Sequence, residues 1–191
     1  AHRMMITRGQ ATASEPALPL AASGRVGTAS IQLAHSAGAK VTASRAPPDK
    51  LDAQQALGAD YLLTSSTENF SKLAWEISGK KGVDVVINYT GGDTWVPSIR
   101  ALRKQGRLLT CGATAGFDPT TDLRYIWVRE ANILGSNGWE RYDLTELVEK
   151  VSKKTIIPTI HKTYALDNAA AAVEDMENRK IIGKVIVTPV G

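Results

Sequence analysis

Cysteine is nearly missing from this chain: Cys111 is the one example in 191 residues. No disulfide can therefore close within the chain, and such usage fits a reducing compartment, the cytoplasm. A structural zinc site, which usually draws on several thiolates, is disfavoured on the same ground. Histidine is scarce too. His2, His35 and His161 lie in unrelated stretches and offer no ligand cluster. No apolar run approaches the roughly 18 residues that would span a membrane. No cluster of about five Lys or Arg occurs, so a nucleic-acid face is disfavoured. The net charge of +4 fits a small anionic ligand better. The opening "AHRMMITRGQ" has basic residues without an apolar stretch behind them, so it is not a secretory signal. It reads as the end of a helix already under way, which hints at an earlier part of the chain. The length allows one domain, or one domain and part of another.

What is present is an alternation. Apolar runs at "KVTAS" (40–44), "YLLT" (61–64), "VDVVINY" (83–89), "RLLTC" (107–111) and "NILGS" (132–136) read as strands. They are mostly apolar throughout, as parallel strands covered on both faces require. Helical spacing lies between them. Phe70, Leu73, Ala74 and Ile77 share one face, as do Leu144, Leu147, Val148 and Val151. Pro47 and Pro48 suit the first turn of a helix, and Ser66 or Thr67 a cap. Gly38, Gly58, Gly79 and Gly106 stand where helices should stop. These features predict an α/β fold with a doubly wound parallel sheet. The end breaks the rhythm: an extended stretch over 155–166, a helix over 167–180 capped by Asp167, and a strand over 184–190.

The stretch "AASGRVG" has the pattern A-x-G-x-x-G, with Ala22, Gly24 and Gly27 in the marked places. Glycine at 24 lets a pyrophosphate approach the backbone. Glycine at 27 lets the helix lie close on the strand beneath. The helix start then offers free N–H groups to the anion. Val26, Ala29, Leu33 and Ala37 are expected on the inner face. The plainer alternative is a tight turn with no ligand. NAD sites usually end the second strand on an acidic residue. Here Ser44 and Arg45 stand in that place, with Lys50 on the next helix, so NADP is favoured over NAD. The plainer alternative for Arg45 is a solvated surface arginine. The missing acid also argues against S-adenosylmethionine.

The strings "ASGRVGTASIQLAHSAGAKV", "LGADYLL", "GVDVVINYTGGDTW", "ALRKQGRLLTCGATAG", "ANILGSN" and "GKVIVTP" together resemble the cofactor half of the medium-chain dehydrogenase/reductase superfamily. The likeness is to zinc-binding-type alcohol dehydrogenases and quinone oxidoreductases, and it covers nearly the whole chain in order. It implies a Rossmann domain over residues 1–154, with 1–10 ending a linking helix. Residues 155–191 would return to a catalytic domain that is largely absent. That domain would carry the substrate pocket and any zinc. The resemblance implies that Ser23, Gly24, Arg25, Val26 and Gly27 hold the pyrophosphate. Ser44, Arg45 and Lys50 would meet the ribose phosphate, and Tyr89 and Thr90 would line the crevice. Cys111, Gly112, Ala113 and Thr114 would lie near the nicotinamide, as would Gly135, Ser136 and Asn137. It also implies a homodimer through the edge strand around Ile133 and Ser136. Three residues depart from the family pattern: Arg25 replaces a glycine, Ser65 a tyrosine, and Pro19 enters a central strand.

No catalytic residue is assigned within the chain. His35 reads as a surface histidine, and Cys111 as a packing residue at the end of a buried strand. Tyr89 is a lining residue that could donate a proton. Trp75, Trp95, Trp127 and Trp139 read as core or interface. The expected function is the cofactor portion of an NADP(H)-dependent oxidoreductase acting on a carbonyl, quinone or activated alkene, with a small-molecule substrate. The alternatives are a non-enzymatic dinucleotide-binding module or inactive relative, and a different doubly wound enzyme such as a methyltransferase.

Overall fold

The structure, a computed structural model, describes residues 1–44, 50–63 and 70–189. A π-helical turn, Arg3–Arg8, precedes strand β1 (Ala17–Pro19) and helix α1 (Arg25–Ser36). Then come β2 (Thr42–Ser44), α2 (Leu51–Ala56), β3 (Tyr61–Leu63), α3 (Phe70–Ile77) and β4 (Val83–Ile87). They are followed by α4 (Trp95–Ala101), β5 (Leu102–Thr110), α5 (Arg124–Arg129) and β6 (Asn132–Gly135). Helix α6 (Arg141–Ser152) leads to β7 (Ile160–Ala165), α7 (Ala169–Glu177) and β8 (Lys184–Thr188).

Strands β1, β4, β5 and β6 pair in that order, all parallel. Strands β2 and β3 form another parallel pair, joined to β1 by the bridge from Ala17 to Val41. The order across is thus 3-2-1-4-5-6. It reverses between β1 and β4, where open α/β sheets form their ligand crevice at the carboxyl ends of the strands. Strands β7 and β8 make a separate parallel pair.

Pro19 does sit in a central strand, opposite Ile87. Successive residues of a strand turn their N–H groups to opposite sides. Ala17 donates to the Lys40 carbonyl at 2.9 Å, and Leu20 to the Ile87 carbonyl at 3.0 Å. Position 19 shares the side of Ala17, so the donor that proline lacks falls on the β2 edge. The ladder to β4 is spared.

Both faces of the sheet are covered. Ala17, Val85, Ile87 and Leu109 pack beneath α1 with Ile31, Leu33 and Ala34. Their strand neighbours Leu18, Val86 and Leu108 face the other way, toward Phe70, Ala74 and Ile99. Two-sided burial is why these strands read as unbroken apolar runs.

Several expectations change in detail. The inner face of α1 is Gly27, Thr28, Ser30, Ile31, Leu33 and Ala34; Val26, Ala29 and Ala37 are half-buried. Gly38, Gly58 and Gly79 take positive φ as expected, but Gly106 does not; Gln105 does, at φ 63. Gly106 lies inside β5, whose regular pairing with β4 resumes at Arg107. Asp167 lies in a short 3-10 turn and caps nothing; the residue before α7 is Asn168. Of the tryptophans expected in core or interface, Trp127 and Trp139 are exposed, which leaves only the interface reading for them. The expected apolar stripe of α6 is largely uncovered, with Leu144 and Val148 exposed and Asp143 buried instead. Ser65, Pro47, Pro48, Ser66 and Thr67 lie outside the described residues.

Candidate functional site

Helix α1 starts at Arg25, and its N-cap Gly24 carries no side-chain hydrogen bond. The first helical bond runs from the Thr28 N–H to the Gly24 carbonyl, at 2.9 Å. The amides of Arg25, Val26 and Gly27 precede that bond and have no partner within the helix. No acidic residue lies in the first turn to meet them. The start of α1 is therefore an uncompensated positive end.

The two glycines of the loop serve different ends. A Cβ on Gly27 would lie 2.6 Å from the Ala22 Cα, so glycine there allows the helix to touch the strand exit. A Cβ on Gly24 would meet only the Ala21 carbonyl oxygen at 3.4 Å and the Tyr89 hydroxyl at 4.0 Å, ordinary contacts. Nothing in the fold needs glycine at 24, and the residue is exposed. Its bareness leaves room for something outside the chain.

The loop is held from three sides. The Tyr89 hydroxyl donates to the Ala21 carbonyl at 2.9 Å, and burial pushes the Tyr89 pKa up, so the phenol stays protonated. Gln54 of α2 donates from Nε2 to the Ser23 Oγ at 3.0 Å. The Gly183 N–H donates to the Ser23 carbonyl at 2.8 Å, and Gly24 and Gly183 form a parallel bridge.

Around the crevice, the strand ends bring most of the expected residues to one edge of the sheet. Ser44 ends β2, with its carbonyl accepting from the Ala22 N–H at 3.3 Å. Its hydroxyl is buried and, among the described residues, has no partner; the same holds for the Gln54 Oε1. Tyr89 and Thr90 follow β4, Cys111 to Thr114 follow β5, and Ser136 and Asn137 follow Gly135 of β6. The loops after β4 and β5 are stitched together: the Ala115 N–H donates to the Thr90 carbonyl at 2.7 Å. Arg45 lies outside the described residues.

Two residues sit in surroundings that the sequence did not indicate. Cys111 is exposed, not a packing residue. Its surroundings still push the thiol pKa up, which disfavours the reactive thiolate. Lys50 is buried, and its ammonium donates to the carbonyls of Arg179 and, at 2.9 Å, Ile181. It is turned to the C-terminal segment rather than toward open solvent.

Two residues escaped the sequence reading. Asn88 is fully buried at the end of β4. Its Oδ1 accepts from the Thr90 and Gly91 N–H groups at 2.9 and 3.0 Å. Its Nδ2 donates to Thr94 and Ser98 at 3.1 and 2.9 Å. It fixes the turn that lines the crevice. A polar amide ending an apolar strand just before "YTGG" is the signal that would have found it. Gln54 is the other, and its helical position alone carried no sign.

The described residues hold no group of three or more His, Cys, Asp or Glu able to bind a metal ion. Among them no helix is long and apolar enough to cross a membrane.

Comparison with known proteins agrees with this architecture. The family model for zinc-binding dehydrogenases matches residues 26–153. Crotonyl-CoA reductase of Streptomyces collinus is 27% identical over 204 residues, which cover 97% of this chain and 46% of that protein. The solved structure of an NAD-dependent alcohol dehydrogenase superposes with a TM-score of 0.91 at 29% identity, covering 99% of this chain and 55% of that one. The 2-octenoyl-CoA carboxylase reductase CinF, solved with NADP and 2-octenoyl-CoA, gives 0.89 at 26% identity, covering 97% of this chain and 46% of that one. The chain spans about half the length of the curated relatives it matches. It belongs to the zinc-binding dehydrogenase family and carries the Rossmann-type cofactor domain of the medium-chain dehydrogenase/reductase superfamily.

Proposed function

We propose that this chain is the coenzyme-binding portion of an NADP(H)-dependent oxidoreductase that moves hydride between nicotinamide and a carbonyl, a quinone or an activated alkene. The observation that carries this reading is the start of α1, with the Arg25 and Val26 amides lacking partners within the helix, beside a Gly24 that the fold itself does not require. A diphosphate supplies the charge such an end lacks. The surroundings fit the rest of a dinucleotide. The buried Ser44 hydroxyl would donate to a ribose or phosphate oxygen, and the buried Gln54 Oε1 would accept from a ribose hydroxyl. When bound, the nicotinamide supplies or takes the hydride. These residues of the chain bind and orient; the Tyr89 proton is committed to the Ala21 carbonyl rather than to the substrate.

The relatives favour the activated alkene among the substrate classes, since CinF is solved with NADP and 2-octenoyl-CoA together. The preference for NADP rests on Ser44 and Arg45 standing where an acid would select NAD. The donor set of the described residues does not fit zinc, so any zinc would rest on residues other than those described. Residues 155–191 would pack with the catalytic domain, and β6 would pair with its twin in a homodimer. Strand β6 is the sheet's outer strand, with Ile133 exposed on it. A molar mass of one chain by light scattering would dismiss the dimer.

Titration calorimetry of the chain with NADPH and NADH tests the central reading. Binding of NADPH, tighter than NADH, is expected, and binding of neither overturns it. Arg45→Asp should weaken NADPH by about tenfold or more and leave NADH nearly unchanged; equal losses would remove Arg45 as the selector. A second reading, a dinucleotide-binding module without catalysis, draws on Arg25, an exposed cation in the first helical turn. NADPH oxidation with a quinone or enal panel, in the presence of an added catalytic domain, separates the two.

A further inference from the structure

Lys50 stands at the wrong end of its own helix. A cation just before α2 opposes the positive helix start, and its burial costs hydration. The compensation lies elsewhere. Its ammonium donates to the carbonyls of Arg179 and Ile181, just beyond the end of α7. Those two carbonyls of the turn satisfy two of the ammonium's donors. No carboxylate among the described residues pairs with Lys50 within ion-pair distance.

The turn that Lys50 holds reaches the glycine loop two residues later. The Gly183 N–H donates to the Ser23 carbonyl, and Gly183 bridges to Gly24. Gly183 takes φ +78, and a Cβ there would lie 2.2 Å from the Thr159 carbonyl oxygen. Only glycine fits there. On the other side, Lys184 N–H donates to the same Thr159 carbonyl at 2.9 Å. Gln54, one helical turn after Lys50, donates to the Ser23 Oγ. Helix α2 therefore grips the glycine loop twice: directly through Gln54, and through Lys50 by way of residues 179–183.

We propose that Lys50 is a latch: it fixes the turn after α7 against the glycine loop and so positions the loop for the coenzyme, instead of reading the 2′-phosphate. This rests on the reading of the loop as a coenzyme site. A latch acts on both coenzymes alike. A reader of the 2′-phosphate would act on NADPH alone.

Three measurements on the full chain decide it. Amine-reactive labelling of the wild type, without coenzyme, should leave Lys50 far less modified than Lys104 or Lys153, and NADPH should change that little. Lys50 that labels freely and becomes protected by NADPH overturns the latch. In Lys50→Met, hydrogen exchange at Gly183 and Lys184 should quicken, and affinity for NADPH and NADH should fall by the same factor, about three- to tenfold. Lys50→Arg, which keeps two donors and the charge, should restore both. A loss confined to NADPH, or unchanged exchange at Gly183, overturns the proposal. If the wild type binds neither coenzyme, the coenzyme reading falls, and labelling with exchange still judges the latch. If Lys50→Met does not fold, labelling of the wild type and the Lys50→Arg affinity ratio decide.

Discussion

Strands β4 and β8 have closely similar sequences, VDVVI and KVIVT, and opposite surroundings. Every residue of β4 is buried, between β1 and β5 and beneath helices on both faces. No residue of β8 is buried; Val187 is 41% exposed, and on α7 beside it Val173 is 53% exposed. Its partner β7 buries Tyr164 but leaves Ile160 open. The same β-branched composition is satisfied in one place and unsatisfied in the other. Apolar strand sequence states a demand for cover, and the covering element can lie anywhere. For β8 the demand supports the proposal that residues 155–191 serve a second domain.

This contrast should appear as a difference in mutational cost. Ile87→Ala, in the fully covered strand, should cost about 2–5 kcal/mol, because a cavity remains where the side chain was. Val187→Ala, in the uncovered strand, should cost less than about 1 kcal/mol. Urea unfolding of both variants checks this. Equal costs would break the comparison, since they would mean that β8 is as deeply covered as β4.

The two glycines of the loop sharpen it at closer range. Gly27→Ala drives a Cβ onto the Ala22 backbone and should cost about 1–3 kcal/mol. Gly24→Ser should keep stability within a few tenths of a kcal/mol, or raise it, because serine is a good N-cap. Yet its hydroxyl would take up an amide that the proposed diphosphate needs, so NADPH affinity should fall by about tenfold. Calorimetry and urea unfolding on the same two proteins separate the effects. A Gly24→Ser chain that binds NADPH undiminished would show that the loop amides hold no phosphate.

What the sequence made legible follows the range of each interaction. The glycine loop, the apolar strands and the stops at Gly38, Gly58 and Gly79 are set by neighbours a few residues away, and a string of letters carries them. Partners far along the chain are not legible. Lys50 reads as a cation facing the ribose phosphate, and its partner Arg179, 129 positions on, is not visible from the sequence. The stripe on α6 reads as a buried face, but periodicity names a face without naming its cover. The face that is covered carries Asp143, because Arg3 and Thr7 satisfy it from about the other end of the chain. Cys111 was misread for a related reason: the strand is buried, but its last residue has already left the sheet.

Asp143 also offers the finest test of how the covered region is fastened. The Thr7 hydroxyl, the Glu140 N–H at 2.8 Å and the Arg3 guanidinium at 2.7 Å all serve its carboxylate, and they hold its pKa down to about 2. An unfolded aspartate titrates near about 3.9. A folded value below the unfolded one means that the contribution is present above about pH 4 and is lost as pH falls toward about 2. His2 is also lowered by burial, against the pull of Glu146, so the whole chain loses stability over a wider acid range. Asp143→Asn isolates the carboxylate. Its urea midpoint should lie below that of the wild type at pH 6, and the gap should close as pH drops from about 4 to about 2. A gap that stays constant would mean that the carboxylate charge contributes nothing. The burial of Met4 and Met5 in the core would then carry more of the fastening of the π-helical turn, as apolar neighbours fasten β4.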